Sequence, residues 1–331
     1  MKAAVVCGSN DLRVDECSDP VVGPGEVIIR TKAVGICSES VRALLGQEPS
    51  TSPRFMLGQE LAGEISATGP GVRGFFPSEP VVVYSADLLD RSLSGAYAEL
   101  VRVPKEIVAA GGLVKLDEEI SFEDAVLAEP LARTFAAARA NQMKEGQHVL
   151  IVGGGSVGLM HLKTAKWSGC KVIVADKNAA RLALAGQMGA SHLINTSQTS
   201  LREETMRLTN GRGAEVVILS GRIPELIADC LSLTAEGGVC NLFSLSSTEN
   251  EAEANKAVIA ERQLRLTGSC AITAGDFRKC LQLIKEEAII VSDMISHRFS
   301  LDELQGAVEK SRNQELIRGV ITFGELLSLS F

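Results

Sequence analysis

The stretch HVLIVGGGSVGLMHLKTAKWSGCKVIVAD, residues 148–176, decides how the rest of the chain is read. It opens on an apolar run of strand length and turns on three consecutive glycines. Apolar residues at three- and four-residue spacing follow, then a second apolar run. That is strand, turn, helix, strand. Gly153-Gly154-Gly155-Ser156-Val157-Gly158 fits the pattern G-x-G-x-x-G. Gly153 permits the tight turn, Gly155 lets backbone approach a pyrophosphate, and Gly158 lets helix and strand pack closely. The N–H groups near Ser156 and Val157 stand at a helix N-terminus, where anionic oxygens are favoured. Asp176 ends the second strand, roughly 20 residues after the loop, where a carboxylate accepts a hydrogen bond from a ribose 2′-hydroxyl and repels a 2′-phosphate. The spacing therefore predicts a dinucleotide site for NAD rather than NADP, with Lys177 and Arg181 as nearby cations. A methyltransferase also pairs a glycine loop with an acid after successive strands. The third glycine at the x-x-G spacing favours the dinucleotide.

Outward from this stretch, strands and helices alternate. SHLIN (191–195), AEVVILSG (214–221), GVCNLFSL (238–245) and RQLRLTG (262–268) read as strands. NAARLALAGQMG, SLREETMRLTN and PELIADCLSLT read as the helices between them. Repeated strand–helix units of this length predict a parallel sheet covered by helices on both faces, a doubly wound Rossmann arrangement in an α/β chain. The helical segment EDAVLAEPLARTFAAARANQ leads into it.

Residues 1 to about 125 have a different character. KAAVV, EVIIRTKAVGI, LAGEISATG, PVVVY and AELVRVP are short β-type runs punctuated by GPGE, GPG and PSEP, which predicts a small β-rich domain. After about 271 come two amphipathic segments, DFRKCLQLIKEE and SLDELQGAVEKSRN, and a terminal β run, GVITF. Ser300 and Glu303 predict a capping box. The expected organisation is a β-rich domain over 1–125, a cofactor domain over 126–271, and a return to the first domain over 272–331.

Composition narrows the function classes. A chain of 331 residues is too long for most single cores. Aromatics are only 4% and the formal charge is −8, which leaves nucleic acid and anionic membrane partners without electrostatic support. No apolar run reaches the length of a spanning helix, and MKAAVVCGSNDLRVDE turns polar too early for a secretory leader. The eight cysteines form no C-x-x-C pair, a spacing that suits reduced thiols in a cytoplasmic protein.

The order of these features resembles the medium-chain dehydrogenase/reductase superfamily, most closely its sorbitol-type polyol and threonine dehydrogenases. The resemblance rests on PGEVIIRTKAVGIC (24–37), MLGQELAGEISATGPGV (56–72), LAEPLARTFAAARA, GQHVLIVGGGSVGLM, NGRGAEVVI and SHRFSLDELQGAVE, and spans nearly the whole chain. It implies an N-terminal GroES-like β domain, a six-stranded parallel Rossmann sheet, an active site in the cleft between them, and a homodimer or homotetramer. It also implies a zinc that polarises the substrate oxygen during hydride transfer. Cys37 matches the first zinc ligand, Glu60 the acid beside the second, and Glu129 the glutamate that polyol dehydrogenases place at the metal.

Three departures bear on that zinc. Gln59 stands where the family has a histidine ligand, and its amide is a poor substitute for imidazole. Glu39 stands where a hydroxyl residue serves the proton relay. The four-cysteine lobe of a structural zinc is missing, with only SADLLDRSLS in its place. Two readings stay open: a catalytic zinc held by Cys37, Glu60 and Glu129, or a metal-free site. In the second, Glu39, Glu60 or Glu129 acts as an acid or base. The expected activity is NAD-dependent interconversion of a small polar alcohol (a polyol, sugar or cyclitol) and its ketone. The alternatives are a metal-independent reductase, and a dehydrogenase fold turned to lyase or cyclase chemistry or to NAD sensing.

Overall fold

The fold was analysed in a computed structural model, which describes residues 1–8, 11–37, 41–42, 55–56, 58, 60–84, 95–221, 223–243, 256–268 and 272–324. The chain divides into two compact units. One comprises Met1–Glu129 and Phe277–Phe331, the other Pro130–Asp276.

The first unit is built on two sheets, antiparallel throughout except for the parallel pair formed by Ile295–Phe299 and Arg318–Thr322. Strands β1 (Lys2–Gly8), β2 (Asp11–Glu16) and β4 (Phe55–Met56) form a small sheet in the order β2-β1-β4. The larger sheet takes β3 (Val27–Ile36), β5 (Leu61–Thr68), β6 (Pro80–Val83), β7 (Leu100–Val103) and β8 (Leu113–Lys115). It is completed by β15 (Ile295–Phe299) and β16 (Arg318–Thr322), which the chain supplies on its return. The order is β15-β16-β3-β5-β6-β8, with β7 also paired to β3. Long β3 is the spine: its first half pairs with β7 and its second half with β16, while β5 runs along it. Buried Ile29, Leu61, Val81, Tyr97, Val101, Leu304 and Ile321 share one core. The returning segment therefore belongs to the same folding unit as the N-terminus. The Ser300–Glu303 capping box is present before the helix Leu304–Arg312.

The second unit is the doubly wound sheet. Strands β9 (His148–Val152), β10 (Lys171–Asp176), β11 (His192–Asn195), β12 (Ala214–Leu219), β13 (Thr234–Leu242) and β14 (Arg265–Thr267) are all parallel, in the order β11-β10-β9-β12-β13-β14. The order reverses at β9, so the crevice beside its carboxyl end is the topological switch point. Val149 to Val152 and Val172 to Ala175 are buried without alternation, as strands covered on both faces must be. Asn178 and Ser200 cap the helices that follow β10 and β11, each accepting backbone N–H bonds through its side chain.

Burial also sets the state of several titratable groups. The described cysteines are free thiols. Burial pushes Cys170 up to about 11 and Cys240 up to about 12, so these are unreactive core residues. Among the described residues no helix is long and apolar enough to cross a membrane.

His161 is one of the polar residues buried in the second unit. It is fully buried on the helix Ser156–Trp167, edge-on to Phe243 at 4.4 Å, and neither ring nitrogen has a hydrogen-bond partner. Burial alone pushes it down to about 3. The unfolded chain takes up this proton near pH 6.5 and the folded chain does not. The resulting loss of stability therefore begins below about pH 6.5 and grows by about 1.4 kcal/mol per pH unit toward pH 3. His161→Leu should remove this component. Urea titrations of both proteins across that window test it, and identical acid slopes would refute the assignment.

Candidate active site

The cofactor loop is assembled from the end of β9 upward. Gly153 donates its N–H to the Ala175 carbonyl at 2.8 Å and takes φ +110°, a conformation open to glycine. A Cβ on Gly158 would lie 1.8 Å from the Gly153 carbonyl oxygen, so only glycine lets the helix Ser156–Trp167 start this close to the strand. Gly155 differs. A Cβ there would meet nothing nearer than the Arg181 guanidinium, at 3.7 Å. Space is open on the side where a pyrophosphate would approach.

The helix start suits an anion. Its N-cap, Gly155, offers no side-chain cap, and no acidic residue occupies the first turn. The N–H groups of the first turn, beginning at Ser156 and Val157, keep their capacity for an external acceptor. The glycine loop and helix start thus fit a dinucleotide.

Asp176 closes the far side. Its Oδ2 accepts the Gly154 N–H at 2.7 Å and its Oδ1 accepts the Asn178 N–H at 2.8 Å. Arg181 Nη1 stands 3.9 Å from Oδ2, and its Nε is buried with no partner. Lys177 is exposed. The structure thus gathers Gly153, Gly155, Ser156, Val157, Gly158, Asp176 and Arg181 around one loop.

In the first unit, Cys37 directly follows β3 and Glu60 directly precedes β5, both buried. Glu129, also buried, lies in the first turn of the helix Ala128–Ala140. Glu39 and Gln59 lie outside the described residues, as does the segment 85–94, SADLLDRSLS.

The residue that sequence reasoning missed is Arg318. It opens β16, is buried, and donates from Nη2 to Glu60 Oε1. Burial works to lower its pKa, but the charges of Glu60, Cys37 and Glu129 oppose that and hold it above its ordinary value. Gly35 makes room for this pair, because a Cβ there would lie 1.8 Å from Glu60 Oε2. No local sequence signal links Glu60 and Arg318, which are 258 residues apart.

Of the three expected zinc donors, Glu60 is already engaged by Arg318. Among the described residues no three His, Cys, Asp or Glu are gathered to hold a metal. What the arrangement provides is a buried cation near two carboxylates and a thiol, joined to one of the carboxylates by a charge-assisted hydrogen bond.

Comparison with known proteins gives the class. Residues 23–115 match the family described as Alcohol dehydrogenase GroES-like domain, and residues 156–286 match Zinc-binding dehydrogenase. The chain is 27% identical to the sorbitol dehydrogenase of Bacillus subtilis (strain 168), over 94% of this chain and 93% of that protein. It is 28% identical to the L-galactonate-5-dehydrogenase of Escherichia coli (strain K12), over 92% of this chain and 94% of that one. Among solved structures, a short chain alcohol dehydrogenase of Escherichia coli CFT073 in complex with NADH superposes with a TM-score of 0.86. It is 25% identical, and the match covers 98% of this chain and 99% of that chain. The chain belongs to the zinc-type medium-chain dehydrogenase/reductase superfamily, with its GroES-like and Rossmann domains.

The Glu60–Arg318 pair makes its own prediction. Glu60→Ala leaves a buried guanidinium without its carboxylate and should cost about 3–5 kcal/mol of stability. The double variant Glu60→Ala/Arg318→Met should recover much of that loss. Chemical denaturation of the parent, Glu60→Ala, Arg318→Met and the double variant measures it, and additive losses would mean the two side chains are not energetically paired.

Proposed function

We propose that this protein is an NAD-dependent dehydrogenase that interconverts a small hydroxylated alcohol and its ketone, with polyols, sugars and cyclitols as the substrate class. The observation that carries the cofactor is the uncapped helix start at Gly155 beside the Asp176 carboxylate. Asp176 still has acceptor capacity for a ribose hydroxyl, and its charge disfavours a 2′-phosphate. The substrate class is supported by the relatives named above, both of which act on polyhydroxylated compounds by name.

The cofactor, when bound, supplies hydride chemistry. The chain's own work is binding, orientation and charge. Gly155, Ser156 and Val157 would receive the pyrophosphate, and Asp176 with Arg181 the adenosine ribose. Glu60, held by Arg318, is the carboxylate we assign to the management of charge at the substrate oxygen. Cys37 and Glu129 complete its polar surroundings. We assign no step to a metal, since Glu60 is engaged by Arg318.

Two measurements test the reading. NADH should bind saturably, and Asp176→Ala should weaken it by about tenfold or more while the fold is kept, the loss expected for a charged hydrogen-bonding partner. An unchanged NADH affinity in that variant would remove the cofactor assignment. Turnover with NAD should appear on a panel of polyols, followed by the absorbance of reduced nicotinamide. Saturable NADH binding without turnover on any of them would favour a non-redox or sensing role instead. Elemental analysis after dialysis against chelator should find well under one zinc per chain, with NADH affinity unaltered. One tightly held equivalent would return zinc to the site.

A further inference from the structure

One peptide group in the cofactor loop is held at both ends, and neither contact belongs to the G-x-G-x-x-G pattern. The N–H of Gly154 donates to Asp176 Oδ2 at 2.7 Å, from the end of β10. The carbonyl of Gly153 accepts from Ser220 Oγ, also at 2.7 Å, from the end of β12. These two atoms are the two ends of the single Gly153–Gly154 peptide. The strands that reach it, β10 and β12, flank β9 on either side. Ser220 Oγ also lies 3.0 Å from the Val152 carbonyl, but that oxygen already accepts the Ser220 N–H at 3.0 Å. A hydroxyl has one proton to give, and the shorter contact is the one to Gly153.

The peptide has reason to need holding. It joins two glycines, so no Cβ on either side resists its rotation. Gly153 sits at φ +110°. Its carbonyl also faces the Gly158 position, where a Cβ would come within 1.8 Å. Rotation of this peptide would move the carbonyl out of the helix–strand contact and change the direction of the N–H. The next residue, Gly155, is the N-cap from which the anion-facing turn begins. A Cβ on Gly153 would also lie 2.7 Å from Ser220 Oγ, so the hydroxyl fills the space that the glycine leaves.

We infer that Ser220 is a positioning residue for the cofactor: with Asp176 it clamps the Gly153–Gly154 peptide from the two flanking strands and presets the loop before the dinucleotide arrives. The inference rests on the dinucleotide reading above. It assigns to Asp176 a second task besides the ribose, and to Ser220 a task without contact to the cofactor. Preorganisation of this kind acts on binding, because the free loop no longer has to be ordered when the ligand enters.

The test is Ser220→Ala, which removes the hydroxyl and adds no bulk. In the cofactor-free protein, hydrogen exchange at the Gly154 amide should accelerate, by about tenfold for the loss of one neutral hydrogen bond. The dissociation constant for NADH should rise by about five- to tenfold, and KM for NAD with it, while kcat at saturating cofactor stays within about twofold, the pattern of lost binding rather than lost chemistry. In a cycle with Asp176→Ala, the double variant should lose less NADH affinity than the product of the single losses, because a peptide released at one end is already free to turn. Unchanged exchange at Gly154 in Ser220→Ala would overturn the clamp whatever the affinity does. Faster exchange with unchanged NADH affinity would overturn its role in positioning. Failure of the parent protein to bind NADH would overturn the dinucleotide reading instead. The exchange comparison needs no cofactor and separates the two failures.

Discussion

The approach of the helix Ser156–Trp167 to strand β9 is the constraint on which the second unit depends. With any side chain at Gly158, a Cβ would sit 1.8 Å from the Gly153 carbonyl. Helix and strand would have to separate, and the N–H groups of the helix start would no longer be aimed over the loop. The switch point of the sheet adds the direction. Because β10 and β12 lie on opposite sides of β9, their carboxyl ends deliver Asp176 and Ser220 to opposite ends of one peptide. Topology, glycine and two side chains thus fix the same few atoms, and no one of them suffices.

The first unit is closed by a contact of a different kind. Its spine, β3, pairs along its second half with β16, a strand made after the chain has left for another folding unit and returned. Arg318 at the start of β16 meets Glu60 at the entry to β5, so the buried ion pair bridges two of the three strands paired with the spine. A long return is tolerable because loop-closure entropy grows only with the logarithm of chain length. The intervening segment is in any case folded.

What could be read from the sequence follows this distinction. The cofactor loop was legible because it is contiguous. Strand, glycines, helix and Asp176 occupy 29 consecutive positions, 148–176, and the period of the apolar residues changes where the structure does. The apolar strands also announced a sheet buried on both faces. Neither the place of β14 at the sheet edge nor the pairing of β16 with β3 could be read, since both are set by long-range packing. Arg318 was invisible for the same reason: nothing in RGVIT marks its first residue as the partner of a carboxylate 258 positions earlier. Ser220 was in view, in AEVVILSG, but a serine after a strand is common. Only the fold decides which carbonyl it meets. For Cys37, Glu60 and Glu129 the resemblance drew attention to residues whose charges act on Arg318. The charge that faces them had to come from the fold.

That charge has a consequence for the chemistry. Burying a guanidinium and a carboxylate costs several kcal/mol per ion, and apolar replacements of similar volume are often neutral or stabilising. Stability alone therefore does not account for Arg318 and Glu60 at the heart of the β domain. Their position does. Glu60 sits at the start of a strand, beside the candidate ligand position 59, in a unit whose interior is otherwise apolar around Leu61 and Ile65. A lone carboxylate there would be driven to its neutral form by desolvation. A buried guanidinium offsets that cost with a charge-assisted hydrogen bond to the carboxylate. The sites differ in what must be held still. In the second unit it is the direction of a peptide, which hydrogen bonds control. In the first it is a buried ion pair, in which each charge offsets the cost of burying the other.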